Sequence, residues 1–125
     1  ALTLAALDLP NDPQARLCIR AGFLALRRVA DHYQIPFPES PHFPEDPISV
    51  KREEFEAVLD ELAADGLSIL HDREKAWLDY AGWRVNYDAP LIGLAQIIMA
   101  PPAPWSSDRL KERAGFVFPW AKKDK

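Results

Sequence analysis

The sequence predicts an all-α domain, an orthogonal bundle of four to five helices crossed by a Pro-rich strap. Apolar residues recur at helical spacing after good N-terminal caps, aromatic residues recur at helical spacing in the stretch 72–99, and Pro-rich connections separate the helices. A minor two-stranded β element is a further option. The expected organisation is one helical domain over 1–125, a strap at 34–48 and a flexible tail at 119–125. The optional β element would pair 67–70 with 116–118.

Composition is that of a soluble globular protein, with 48% hydrophobic and 27% charged residues. The formal net charge of −4 argues against unaided binding to nucleic acid. Cys18 is the only cysteine, which excludes an internal disulfide and Cys-x-x-Cys chemistry. Its apolar surroundings predict a buried, inert thiol. No segment has the pattern of a signal peptide or of a membrane span.

The first long helix is predicted from Asp12 to about His32. Asp12 caps a helix well, and a proline suits the first turn. The apolar residues of this helix spread over most of its circumference, so we expect it to lie at the centre of the domain. The exception is a polar stripe, here called the arginine stripe, formed by Arg16, Arg20 and Arg27.

The segment 34–48 contains five prolines, which disfavour a helix and favour an extended strap lying on the core. The spacing of Pro38, Pro41 and Pro44 also allows a second interpretation, in which this segment is a ligand for an aromatic groove.

A second helix is predicted over Lys51–Ala64, with Ser49 as its cap and Gly66 as the left-handed residue after its end. Residues 39–65 carry nine acids against two bases, a balance of −7, whereas residues 13–33 carry four Arg against one Asp, a balance of +3. Either the acidic side of the second helix faces the arginine stripe, or it lies in solvent.

The stretch 72–99 is the expected axis of the domain. Asp72 is its predicted cap, and one aromatic face follows at i, i+4, i+7 and i+11, formed by Ala76, Tyr80, Trp83 and Tyr87. Pro90 predicts either a kink or a new helix beginning near Asp88, because proline cannot supply the helical N–H. The apolar segment after it is far shorter than the ~20 residues that cross a bilayer, so a buried core helix is expected. A brief helix over 108–114 follows.

A polar cluster just before Pro90 is the strongest candidate site. The residues proposed to bind a ligand are Trp77, Tyr80, Arg84, Asn86, Tyr87 and Asp88. In the functional interpretation, Arg84 and Asp88 line an anion or small-molecule pocket at the helix break. In the structural interpretation, Arg84 pairs with Asp88 and stacks on an aromatic ring, while Asn86 and Asp88 satisfy broken backbone groups.

Other chemistry finds little support in the sequence. His32, His42 and His71 lack the spacing of a helical zinc site, and no Gly-rich loop is present to hold phosphate. No Gly-x-Ser-x-Gly motif occurs, and Ser106-Ser107-Asp108 is better explained by helix capping. The sequence therefore predicts no metal, no cofactor and no catalytic residue. A helix–turn–helix reader of DNA is disfavoured, since its recognition helix would present aromatic residues.

Four segments, 21–31, 47–67, 76–95 and 100–109, resemble a soluble segment of uncharacterised bacterial integral membrane proteins, some with an ion-channel-like pattern. The quoted motifs are AGFLALRRVAD, PISVKREEFEAVLDELAADGL, AWLDYAGWRVNYDAPLIGLA and APPAPWSSDR. The resemblance implies a cytosolic domain attached to a membrane part, at the inner face of the cell membrane. The chain begins with Ala rather than Met, and we expect it to be a fragment of a longer chain.

The leading functional hypothesis is a non-enzymatic cytosolic interaction or regulatory domain of a larger, membrane-associated protein. Its expected partner is the remainder of its own chain, another protein or a second copy of itself, with no nucleic acid and with membrane contact only through an attached segment. The alternatives are a small-molecule or anion sensor at 84–90 and an enzyme of unknown class.

Overall fold

The computed structural model describes residues 1–10, 12–101, 103 and 105, and within them the protein is all-α, as predicted. Its helices are α1 (Leu2–Ala6), α2 (Pro13–His32), α3 (Arg52–Ala64), α4 (Arg73–Arg84) and α5 (Asp88–Ile97). The predicted helix 108–114, β segment 116–118 and tail 119–125 lie outside the described residues. In the described part of the chain, no helix combines the length and the apolarity needed to cross a bilayer.

Most helix ends follow the local signals in the sequence. The Asp12 carboxylate accepts a hydrogen bond from the Gln14 N–H at 2.9 Å, and Asp72 accepts one from the Lys75 N–H at 3.0 Å. Gly66 has φ of +87°, the left-handed conformation expected after a helix end. These contacts confirm the predicted starts of α2 and α4 and the predicted end of α3.

The predicted cap of α3 is wrong. The helix begins one residue later than expected, after Lys51, whose backbone N–H donates to the Glu54 carboxylate at 2.8 Å. The Ser49 hydroxyl is instead 2.7 Å from the Asp88 carboxylate, on a different helix. A buried charged acceptor binds a hydroxyl more strongly than exposed backbone N–H groups do, so tertiary structure overrides the local capping preference.

The hydrophobic core surrounds α4. Phe55 of α3 stacks on Tyr80 with ring centroids 5.2 Å apart, and Trp77 lies 5.5 Å from the Phe55 ring. Leu59 completes the contribution of α3 and is fully buried. Aromatic rings bury large apolar areas, so these contacts stabilise the domain strongly.

The N-terminal helix α1 closes one side of this core and was not predicted from sequence. Ala5 and Ala6 are fully buried, and α1 packs against α4. After it, Leu7 forms an antiparallel β-bridge with Ile69, with the Leu70 N–H donating to the Ala6 carbonyl at 3.0 Å. The extended segment 67–70 agrees with the sequence expectation, and within the described residues it pairs with the N-terminal segment.

The predicted central position of α2 is wrong. Ala30 is its one buried residue, and Cys18, expected to be buried, is exposed. The inner side of α2 packs against α5, with Ile19, Phe23 and Leu26 half-buried. The aromatic side chains around α4 already fill the core. α2 therefore lies at the edge of the domain and buries one side.

The acidic side of α3 agrees in part with the solvent interpretation, since Glu53 and Asp60 are exposed. No ion pair in the described residues joins it to the arginine stripe. Glu56 and Asp60 of α3 each lie 2.8 Å from the Arg73 guanidinium of α4. Arg27 of the arginine stripe donates to strap carbonyls, at 3.0 Å for Pro38, and lies 5.1 Å from the centroid of the Phe37 ring. Glu56 and Asp60 thus interact with α4, and Arg27 helps to hold the strap.

Candidate functional sites

The first candidate site is the break between α4 and α5. Helix α4 ends at Arg84, residues 85–87 form a turn, and α5 begins at Asp88. Pro90 lies in the first turn of α5, where its missing N–H is not needed. Of the two predictions for this break, the new helix at Asp88 is confirmed.

A buried ion pair spans the break. The Arg84 Nε donates to Asp88 Oδ1 at 2.7 Å, and each side chain is only 5% exposed. Asp88 also accepts from Ser49 twice, from the backbone N–H at 3.0 Å and from the hydroxyl at 2.7 Å. The carboxylate therefore ties the residues preceding α3 to the start of α5.

The Arg84 Nη2 contacts the segment at Trp105. It donates to the Trp105 carbonyl at 2.6 Å and makes a longer contact of 3.5 Å with the Ser49 hydroxyl. The guanidinium also lies 5.3 Å from the centroid of the Tyr87 ring. Arg84, Asp88, Ser49 and the Trp105 carbonyl together are called the clasp below.

The six residues predicted as a ligand site have different partners in the described part of the chain. Trp77 and Tyr80 belong to the aromatic core, whereas Arg84 and Asp88 form the clasp, with Tyr87 beside it. The Asn86 side-chain amide donates to the Gly82 carbonyl at 3.0 Å, so it satisfies the end of α4. The sequence does not predict the contacts of the Ser49 hydroxyl and the Trp105 carbonyl with this ion pair, because both contacts join segments far apart in the chain.

Burial shifts the pKa of two tyrosines that lie beside the clasp. Burial raises the pKa of the Tyr80 hydroxyl, with the Arg84 cation opposing that shift. Burial likewise raises the pKa of Tyr87, again against the effect of Arg84. Burial acts to lower the pKa of Arg84, but its interactions with Tyr80 and Asp88 outweigh burial and raise it. At neutral pH the clasp therefore contains a guanidinium cation beside two neutral phenols.

The geometry of the clasp fits the structural interpretation. Arg84 and Asp88 are bonded to each other and to protein groups from two other segments, which compensates the cost of burying both charges. Ligand binding at this break stays a prediction. A ligand would have to replace one of these protein contacts.

The second candidate site is the solvent-facing side of α2. Six residues define what we call the outer face: Leu17, Cys18, Ala21, Leu24, Ala25 and Val29. They recur at spacings of three or four residues and therefore share one side of the helix. Leu17 is 64% exposed, Val29 44% and Leu24 40%. An exposed apolar stripe of this length is the kind of surface that marks an interaction site.

Arginine side chains border the outer face. Arg16 and Arg20 are exposed along one edge, and Arg28 is exposed near the C-terminal end of the stripe. Arg16 and Arg20 belong to the predicted arginine stripe, whereas Arg28 does not. The remaining apolar circumference of the helix predicts burial, which is wrong for this side. The small size of Cys18, Ala21 and Ala25 was the signal that this side contributes little to a core.

A cleft of about 370 Å³ lies between α2 and the strap. Its lining consists of Leu24, Arg27, Arg28, Asp31, Ile35, Pro36, Phe37 and Glu39. Two arginines and two acids give this lining no net charge. The cleft therefore offers no electrostatic selection for an anion or a cation.

Comparisons with known proteins identify no relative of this chain. No family model matches the chain, and neither the curated proteins nor the solved structures contain a match. The described residues contain no group of three or more His, Cys, Asp or Glu side chains placed to hold a metal ion. The clasp and the outer face are therefore the two candidate sites of the described residues.

Proposed function

We propose that this chain is a non-enzymatic interaction domain of a larger, membrane-associated protein, and that the outer face of α2 is its docking surface. The observation that carries the proposal is the exposure of α2, a 20-residue helix with a single buried residue. The membrane association comes from the resemblance of four segments to the soluble part of bacterial membrane proteins. The expected location is the cytoplasmic side of that membrane.

Energetics favour a partner on this surface. Full burial of one Leu or Val side chain contributes about 1.5–3 kcal/mol. Leu17, Leu24 and Val29 leave much of that contribution unused in the isolated domain. A binding surface that covers the stripe would recover it without moving any residue of the core.

The exposed thiol of Cys18 provides a direct test. Cys18 lies on the outer face, so docking should slow its reaction with a maleimide. We expect labelling at least about tenfold slower in the complete native protein, in its own membrane fraction, than in the purified chain; a tenfold change corresponds to about 1.4 kcal/mol of protection.

The matched control places the thiol elsewhere. Leu78 of α4 is 49% exposed and does not belong to the outer face, so the double variant Cys18→Ser, Leu78→Cys should label equally fast in both samples. Equal labelling of Cys18 in both samples would contradict the proposal. Protection of both positions would indicate general occlusion and would also contradict a specific docking face.

A second candidate function is anion or small-molecule sensing at the clasp. One observation favours it: Arg84 donates to a main-chain carbonyl of Trp105, and a ligand carboxylate could replace that oxygen. The test is thermal unfolding of the purified chain with acetate and with benzoate. A rise in Tm that is lost in Arg84→Lys supports sensing, and an unchanged Tm at millimolar ligand argues against it.

A further inference from the structure

We infer that the outer face of α2 docks on an anionic lipid surface. This inference rests on the proposed function and names the chemistry of the partner. It goes beyond attachment through a separate membrane segment, because the domain itself would contact the bilayer.

The length and composition of the apolar stripe suit binding at a membrane interface. Helix α2 is roughly 30 Å long, and the outer face runs along it from Leu17 to Val29. The stripe contains no aromatic residue, whereas the anchors of protein–protein interfaces are enriched in Trp and Tyr. A helix lying flat needs only shallow burial of such side chains at the boundary between headgroups and acyl chains.

The positive charge of α2 is the second component of the proposed lipid binding. Pro13–His32 contains four Arg and one Asp, a balance of +3 in a chain of net charge −4. Arg16 and Arg20 lie exposed along the edge of the outer face. Arginine stems lie along apolar surface while their guanidinium groups reach polar surroundings, so these side chains suit phosphate and carboxylate headgroups.

The arrangement of charge within the fold would orient the domain. The basic helix α2 packs against α5, whereas the acidic helix α3 packs against α4. Helix α3 itself, Arg52–Ala64, carries five acids and one Arg, a balance of −4, and it is a different helix from α2. An anionic surface would attract the α2 side and repel the acidic side, which favours one docking orientation.

A second copy of this chain is a less suitable occupant. Pairing two outer faces would bring two helices of +3 together, and their like charges would repel. Pairing α2 with α3 of another copy would compete with existing contacts, because Glu56 and Asp60 already bind Arg73. Charge complementarity thus favours lipid over self-association.

The experiment is co-sedimentation of the purified 125-residue chain with vesicles. We expect binding to vesicles of phosphatidylcholine mixed with phosphatidylserine and at least tenfold weaker binding to phosphatidylcholine alone. Binding should weaken as NaCl rises above about 0.1 M, where the Debye length is ~10 Å. The double variant Arg16→Gln, Arg20→Gln should bind roughly 30-fold more weakly, about fivefold for each arginine.

The apolar contribution is tested with Leu17→Ser, Leu24→Ser, which should lose most of the binding. Leu78→Ser is the matched control, since Leu78 is as exposed as these residues but lies on α4. All substituted side chains are exposed, so circular dichroism should show an unchanged fold.

Three outcomes would overturn the inference: no binding to either vesicle, equal binding to both, or a dimer in light scattering that the α2 variants dissociate. Equal binding to both vesicles would assign the partner to lipid without selection for anionic headgroups. No binding to either vesicle, combined with slow maleimide labelling in the complete protein, would leave the docking face in place and assign its partner to protein. Rapid labelling there would reject the proposed function itself.

Discussion

Arginine is buried and paired in the clasp but exposed along the edge of the outer face of α2. Arg84 is 4% exposed and is bonded to Asp88 and to the Trp105 carbonyl. Arg16 and Arg20 are exposed at the edge of an apolar stripe. The first arginine is satisfied inside the domain, whereas the other two remain available to an external partner.

The residues that stabilise the fold therefore differ from the residues that we propose bind a partner. The clasp joins α4, α5, the residues before α3 and the segment at Trp105, so its loss should affect the whole fold. The outer face belongs to the periphery, so its substitution should affect binding and leave the free energy of unfolding nearly unchanged. Each prediction below examines one side of this separation.

The largest effect is expected at the ion pair. Asp88→Ala should lower the free energy of unfolding by about 3–5 kcal/mol, because it leaves the Arg84 cation buried without its carboxylate. The measurement is urea unfolding followed by tryptophan fluorescence.

Asp79→Ala is the matched control for that substitution. Lys75 and Asp79 also form an i, i+4 pair on α4, at 2.6 Å, but both side chains are solvent-accessible. The change should stay within about 1 kcal/mol. Similar losses for Asp88→Ala and Asp79→Ala would show that the clasp is no more important than a surface pair.

A smaller effect is expected where α5 meets the strap. A Cβ at Gly93 would lie 2.5 Å from the Ile35 Cγ2, a β-branched methyl group with little freedom to move. Gly93→Ala should therefore cost about 1–3 kcal/mol from overpacking, despite its better helix propensity.

Gly82→Ala on α4 is the control, since a Cβ there meets nothing within 4 Å. It should stabilise the protein by up to ~1 kcal/mol through helix propensity. Combining Gly93→Ala with Ile35→Ala should cost less than the sum of the single changes. Strictly additive costs would contradict the close approach of the strap to α5.

The smallest effect concerns alkaline pH. Burial raises the pKa of Tyr80 in the folded state, whereas the unfolded chain has the ordinary value of about 10. The unfolded state therefore releases its proton first, so stability is complete below pH ~10 and falls as the pH rises above it.

Tyr80→Phe removes this titration. At pH ~11 the wild-type loss attributable to Tyr80 should be at most about 1.4 kcal/mol, and the variant should show a correspondingly flatter decline of Tm. An identical alkaline decline in both proteins would mean that Tyr80 is protonated equally readily in the folded and unfolded states.

The sequence by itself determined the elements whose signals are local. Asp12 and Asp72 cap their helices through the N–H groups two or three residues on, and Gly66 ends α3 with a positive φ. The i, i+4 spacing of Arg84 and Asp88 predicted their pairing. These features need only a few neighbouring residues, so their physics is already contained in short segments.

Only the tertiary structure decided which helix became central and how the clasp was completed. Ser49 lies 39 residues from Asp88, and its hydroxyl binds the buried Asp88 carboxylate instead of capping α3. Apolar periodicity showed that α2 has two apolar sides, but it could not show that aromatic residues around α4 would occupy the core. Burial depends on the competition among all elements for one interior, and that competition left the outer face of α2 exposed.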